Sequence, residues 1–223
     1  MTSAGPGRPR KQQPSRPGAT ARDEILDAAA ELFTTHGYAN TSTRSIADAV
    51  GIRQSSLYHH FGTKDDILEE LLAGTVSGGL AFARRVFTES ADKELPPGSR
   101  LHAVALYDGM QLCNARWNLG VLYNLPEARA ERFSTFRDDR KELRNLYQRL
   151  GAELPESSWT NDVTQAGELA FRLVESLVSL RADGLATTAS PHQTADAGIV
   201  LCGLAQSLPA IRVHSAALIS SLA

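Results

Sequence analysis

Apolar residues along this chain recur three or four positions apart, the period of a helix face, and the runs they form are closed by glycine, proline or hydroxyl-bearing residues. Thr20 and Asp23 form a capping pattern ahead of a first helix whose inward stripe is Ile25, Ala29, Leu32 and Phe33, and Gly37 ends it. Thr41, Ser42 or Thr43 can cap a second helix carrying Ile46, Ala47 and Val50. Gly51 closes that helix in a left-handed turn, with Ile52 as an apolar anchor. A third helix starts at about Gln54 or Ser55 and reaches His60, with Leu57 and Phe61 turned inward. Thr63 and Asp66 repeat the capping pattern for a fourth, which carries Ile67, Leu68, Leu71 and Leu72. Gly74, Gly78 and Gly79 weaken that helix farther on, permitting either a bend or close packing.

Pro96, Pro97 and Gly98 break the pattern next. Helices are predicted from Ser99 to about Asn114 and over 131–150, with Pro126 opening a short helix before the latter and a loop over 155–161 after it. Signs alternate from Arg137 through Asp138, Asp139, Arg140, Lys141 and Glu142 to Arg144, which reads as a solvated face with i,i+4 pairs. Of the last two long helices, one carries Val163, Ala166, Ala170, Leu173, Val174, Leu177, Val178 and Leu180 around more than half its circumference, and one over 195–208 is apolar almost all round. That is more apolar surface than one side of a surface helix requires, and a second subunit is the simplest partner for it. The class is all-α.

Chemistry concentrates on the third helix. Gln54, Ser55, Ser56, Tyr58, His59 and His60 are left facing outward, with no acid among them and with Arg44 and Lys64 close by in sequence. Amide, hydroxyl, phenol and imidazole groups suit a DNA major groove, where base edges and phosphates ask for donors and tolerate little negative charge. Two short helices with a tight joint follow helix-turn-helix logic. Charge agrees: residues 1–64 hold eight Lys and Arg against five Asp and Glu, whereas residues 65–223 hold 15 against 20. Residues 1–20 are rich in Gly, Pro, Ser and Gln and carry no acid, so they read as a disordered basic arm. Within it, Arg8, Arg10 and Lys11 suit an A/T-rich minor groove, with a solubilising tail as the equal alternative.

The run FTTHGYANTSTRSIADAVGIRQSSLYHHFGTKDDIL resembles the N-terminal domain of the TetR family of transcriptional regulators. The likeness covers about residues 21–81 and rests on the glycine after helix one, the Thr-rich cap, Ile46-Ala47, Gly51-Ile52, Leu57-Tyr58, Phe61 and Lys64. It implies an N-terminal helix-turn-helix domain over 21–81 and a helical effector-binding and dimerisation domain over 82–223. Thr43, Arg44 and Lys64 would then hold phosphates or groove edges, while Gln54, Ser55, Ser56, Tyr58, His59 and His60 would read or position the major groove. The resemblance further implies a homodimer joined through the two C-terminal helices, and a repressor released from a palindromic operator by a small molecule. An architectural DNA binder without an effector, or a helical small-molecule-binding module, is the rival reading.

For the effector, the central region is rich in aromatic residues. Tyr107, Trp117, Tyr123, Phe133, Phe136 and Tyr147, with Phe171, Met110, Cys113 and Asn114, can line an apolar cavity, with polar groups such as Asp108 and Gln111 interspersed. Each aromatic taken singly reads as core. Cys113 and Cys202 lack histidine or cysteine neighbours at metal-ligand spacing and read as small buried residues, so neither a metal nor a cofactor is expected. Catalytic fingerprints such as GxSxG, HExxH or a P-loop are missing from the sequence, which argues against an enzyme. No run is long enough to span a membrane, and no secretion-signal pattern opens the chain, so a cytoplasmic protein is expected.

Overall fold

A computed structural model describes residues 16–90, 94–155 and 163–223. The described residues form nine α-helices and four short 3-10 turns joined by loops, with no strand among them. Their contacts cluster into one compact unit ending at Ile67 and another beginning at Leu68.

In the first unit, α1 (Ala21–Thr35) opens with a reciprocal cap: the Asp23 amide donates to Thr20 Oγ1 and the Thr20 amide donates to Asp23 Oδ2. Of the three candidate caps for α2 (Thr43–Val50), Ser42 is the one used, paired with Ser45. Thr41 turns inward, its hydroxyl donating to the carbonyls of Leu32 and Gly37. Gly51 takes φ +74°, and the Ile52 amide reaches back to the Ala47 carbonyl at 3.0 Å, closing α2 as the sequence predicts. α3 (Gln54–Tyr58) is short. Ile25, Phe33, Ile46, Val50, Leu57 and Phe61 are buried together with Tyr38, whose ring meets Phe33 edge-on at 4.9 Å. Leu32 is only half-buried.

α4 (Lys64–Glu89) begins in the first unit and continues without interruption into the second. Its glycines therefore do not end the helix. At Gly79 an added Cβ would lie 2.7 Å from Asp108 Oδ1, and at Gly78 3.3 Å from Gln111 Oε1, so these positions let another helix approach closely.

That helix is α5 (Ser99–Asn114), at the centre of the second unit, packed against α6 (Ser134–Gly151), α7 (Val163–Ala182), α8 (Ser190–Leu201) and α9 (Leu208–Leu222). From Leu101 to Leu106 every residue of α5 is buried. The alternating charges of α6 do more than face solvent. Arg140 and Arg144 reach across to Glu175 and Glu168 of α7, and Glu142 holds Arg84 of α4 at 2.6 Å, because helices lie where the sequence pattern suggested water. The predicted continuous helix over 195–208 is corrected as well. α8 ends at Leu201, Gly203 turns with φ +80°, and α9 starts again at Leu208 with Pro209 in its first turn, where a missing amide donor costs nothing.

Candidate nucleic-acid interface and effector cavities

On the first unit, Leu57 is 0% exposed and Phe61 2%, and their burial fixes which way the rest of α3 points. Gln54, Ser55, Tyr58, His59 and His60 are exposed, and Ser56 is half-buried. Thr43, in the first turn of α2, organises part of this face. Its hydroxyl accepts from Gln54 Nε2 at 2.9 Å and shares a 3.0 Å hydrogen bond with the Tyr58 hydroxyl. The far end of α3 is held by Arg22, which donates to the His60 carbonyl at 2.8 Å and lies over the Phe61 ring. Arg44 stands well out of the surface, 4.0 Å from Asp48 in a loose pair between exposed groups, which contributes little to stability.

Two findings change the sequence picture of this face. The Lys64 ammonium is engaged internally, donating to the carbonyls of Tyr38 and Thr41 at 2.8 and 2.9 Å and lying over the Tyr38 ring. It fastens the α1–α2 connection to the start of α4. Arg53, exposed at the N-terminal boundary of α3 with no side-chain capping bond, adds a cation to this face that the sequence reading does not single out, although a basic residue in the joint between the two helices is a signal for it. Arg8, Arg10 and Lys11 lie outside the described residues.

Among the described residues of the second unit, the aromatic set is divided between several spaces and the core. Trp117 and Asn114 line a cavity of about 320 Å³ with Gly74, Thr75, Gln111 and Leu119. Met110, Cys113 and Asn114 border a cleft of about 460 Å³ with Arg181 and His192. Tyr123 and Phe136, their rings 5.4 Å apart, line a third space of about 230 Å³ beside Arg129, Arg137 and Arg140. Tyr107 is taken up in a stack on Phe82 at 4.2 Å, and Phe133 and Tyr147 are core residues. Phe171 meets Tyr147 edge-on at 5.3 Å. Spacing along a helix placed these rings on many sides of several helices, which the one-dimensional pattern could not separate. The Cys113 and Cys202 thiols are pushed up by burial, which leaves them in the unreactive protonated form.

Beneath these spaces is a polar interior. Asp108 is 5% exposed and its carboxylate accepts from the Tyr147 hydroxyl at 2.9 Å. Burial pushes its pKa up to about 6 and raises those of Tyr123 and Tyr147 too. A void of about 20 Å³, room for roughly one water, is bordered by Asp108, Tyr123, Arg140, Phe171 and Glu175. Separately, buried His102 of α5 bonds Ser215 of α9 through Nδ1 at 2.8 Å and Asp196 of α8 through Nε2 at 3.1 Å, while Arg212 grips the same carboxylate. Desolvation holds the His102 pKa below the usual imidazole value, so this network ties three helices with a neutral ring.

A capped helix, a left-handed glycine turn and an acid-free second helix, within an all-helical chain, define a helix-turn-helix DNA-binding protein. The family model for bacterial regulatory proteins of the tetR family matches residues 25–71. The transcriptional repressor KstR2 of Rhodococcus jostii is 32% identical over 158 residues, covering 69% of this chain and 74% of that protein. The crystal structure of Mycobacterium smegmatis AmtR is 47% identical, covers 93% of this chain and 98% of its own, and superposes with a TM-score of 0.83. KstR2 of Mycobacterium tuberculosis, 24% identical with a TM-score of 0.68 over 84% of this chain and 95% of its own, shares the fold. The chain belongs to the TetR family and is a DNA-binding transcriptional regulator. Its relatives are transcriptional regulators, and no described helix is long and apolar enough to cross a membrane.

Proposed function

We propose that this regulator is a homodimeric repressor that leaves a palindromic operator when a small molecule occupies the interior of its second unit. The acid-free α3 face carries the reading: Gln54, Ser55, Tyr58, His59 and His60 offer donors and acceptors to base edges, and Arg44 and Arg53 offer charge to phosphates. Relatedness to a protein named as a repressor supports the sign of regulation. Exposed Val200 and Leu201 on α8 and Val213 on α9, the last 67% exposed, support self-association through this end of the chain. α4 offers the route for coupling, since it begins at Lys64 in the first unit and passes Thr75 beside the Trp117 cavity. An effector acts only through its differential affinity for two states, and a hundredfold loss of operator affinity corresponds to about 2.7 kcal/mol of coupling. The test is genome-wide mapping of bound sites followed by gel shift and sedimentation. Inverted repeats whose half-sites place two α3 helices about 34–36 Å apart are expected, bound by a dimer. A monomer on a site without inverted symmetry would overturn the reading.

A further inference from the structure

The space of about 230 Å³ bordered by Tyr123 and Phe136, between the short turns that precede α6 and the start of α6 itself, has walls charged in one sense only. Arg129, Arg137 and Arg140 line it, and no carboxylate does among the described residues. Elsewhere in the second unit arginines are neutralised at close range, as where Arg84, Arg100, Arg144 and Arg212 each hold a carboxylate at 2.5 to 2.7 Å. Arg137 is fixed differently. Its Nη1 donates to the carbonyls of Ala128 and Ala130, neutral acceptors that orient the guanidinium and leave its charge in place. The acid it does meet, Glu131, stands 3.8 Å away and is 97% exposed, a pair that water screens. Arg140 shares Glu175 with Arg172, so that with Arg144 and Glu168 three guanidiniums stand on two carboxylates. Arg129 and Asn124 are exposed, and the space opens to solvent beside them.

Where this space is not cationic it is aromatic. The Tyr123 and Phe136 rings are tilted 35° to one another, and the Arg140 guanidinium sits 5.6 Å from the Tyr123 ring centre. A cavity of roughly 150 Å³ can hold benzene, so about 230 Å³ has room for one ring with a short charged arm. We propose, resting on the ligand-responsive reading above, that this space takes a small aromatic carboxylate, its ring against Tyr123 and Phe136 and its carboxylate on the guanidiniums of Arg137 and Arg129. The forked N–H groups of a guanidinium match the two oxygens of a carboxylate. A cationic ligand would meet three like charges. The Trp117 cavity, lined by no ionisable side chain among the described residues, cannot discriminate by charge in this way. Glu175 and Asp108 lie beyond Arg140, at the separate void of about 20 Å³, and do not border this space. Two contacts lead from the site to α4: the Tyr123 hydroxyl bonds Thr75, and Arg132, just before α6, pairs with Glu69 at 3.4 Å. A ligand here therefore acts on the helix that begins at Lys64.

The experiment uses the full-length protein and isothermal titration calorimetry with four probes, phenylacetate, phenylacetamide, phenethylamine and inorganic phosphate, with release of bound operator followed in parallel. Phenylacetate is expected to bind at least about tenfold tighter than the other three, and more weakly as salt rises. Arg137→Gln should lower its affinity about tenfold and Arg129→Gln, whose charge is solvated, about threefold, while neither changes the affinity for phenylacetamide. A general loss of the cavity would weaken acid and amide together. Because Arg137 also holds the turn through Ala128 and Ala130, melting curves and ligand-free operator affinity accompany each variant. Should Arg137→Gln fail to fold, Arg129→Gln and Arg137→Lys carry the test, the lysine keeping the charge without the fork and giving an intermediate loss. Equal binding of acid and amide, preference for the amine, phosphate bound as tightly as phenylacetate, binding of none of the four, or phenylacetate affinity unchanged in the folded arginine variants would overturn the assignment. Phenylacetate bound in an arginine-dependent way with the operator still held would support the site and strike the ligand-responsive reading alone.

Discussion

The two units of this protein hide their chemistry to different degrees. In the first, the functional groups are outside and the apolar residues inside, so that the burial of Leu57 and Phe61 determines which side chains of α3 meet solvent. In the second, the polar groups that matter are themselves inside: Asp108, His102 and Ser215 are each at most 5% exposed. An outward face can be read from one helix at a time. An interior polar network belongs to several helices at once, and its energetics follow from which groups burial brings together.

This contrast can be broken most severely at Leu57. Replacing it with Ala empties a fully buried site and should cost the first unit about 2–5 kcal/mol, abolishing operator binding, while melting of the second unit stays unchanged. If both units lose stability together by calorimetry, they fold as one and the distinction drawn here is lost.

Next in size is Asp108→Asn. A carboxyl raised from 3.8 to about 6 by burial disfavours the folded state at neutral pH by on the order of 2–3 kcal/mol. The native state holds that proton more tightly than the unfolded chain, so the associated stability is present below about pH 4 and lost as pH rises through 6. Asp108→Asn should therefore stabilise the second unit at pH 8 and show no gain at pH 4, as denaturant titration can establish. His102 works with the opposite sign. Its pKa is held below the unfolded value of 6.5, so its contribution is present above 6.5 and lost as pH falls below it. With Asp108 removed, acid destabilisation below that point should become steeper than in the wild type; an unchanged slope would mean that His102 protonates without disturbing its three helices.

Lys64→Ala comes third, and it separates an internal tie from a DNA contact. With the Thr41 carbonyl losing the ammonium as a donor and the Tyr38 carbonyl keeping the Thr41 amide, loss of the first unit's stability by about 1–3 kcal/mol is expected, with little change in the salt dependence of DNA binding. A salt slope reduced by about one, at unchanged stability, would assign the ammonium to a phosphate instead. The smallest effect should belong to Tyr58→Phe. Losing the hydroxyl shared with Thr43 is worth about 0.5–1.5 kcal/mol, felt more on the preferred site than on random DNA if this face reads bases.

Local signals made the first unit legible in the sequence. Gly51, the capping boxes Thr20–Asp23 of α1 and Thr63–Asp66 of α4, and the inward pair Leu57 and Phe61 each act within a few residues, and all appear where the pattern puts them. Ser42 was one of three adjacent hydroxyls, and only the geometry could choose among them. Legibility failed where the deciding neighbour was distant in sequence. For Gly78 and Gly79 a bend and close packing stayed equally open, because Gln111 and Asp108, the groups they accommodate, lie on another helix. The run over 195–208 looked continuous because Gly203 among apolar residues does not announce the sign of its φ. Of the aromatic residues read as one lining, Tyr107, Phe133 and Tyr147 serve the packing, while Trp117 borders one space and Tyr123 and Phe136 another.

Ser215, His102 and Asp196 have one more consequence. A search of structures for hydrolytic triads by interatomic distance alone would retrieve them, since a hydroxyl, an imidazole and a carboxylate lie in a line at 2.8 and 3.1 Å. Yet Ser215 is 0% exposed, and Asp196 is already held by Arg212, so the would-be nucleophile has no approach for an acyl group. An activity-based fluorophosphonate probe should leave Ser215 unlabelled in the native protein. The same three residues that elsewhere cut bonds are here a rivet between α5, α8 and α9, and what distinguishes the two uses is access to solvent.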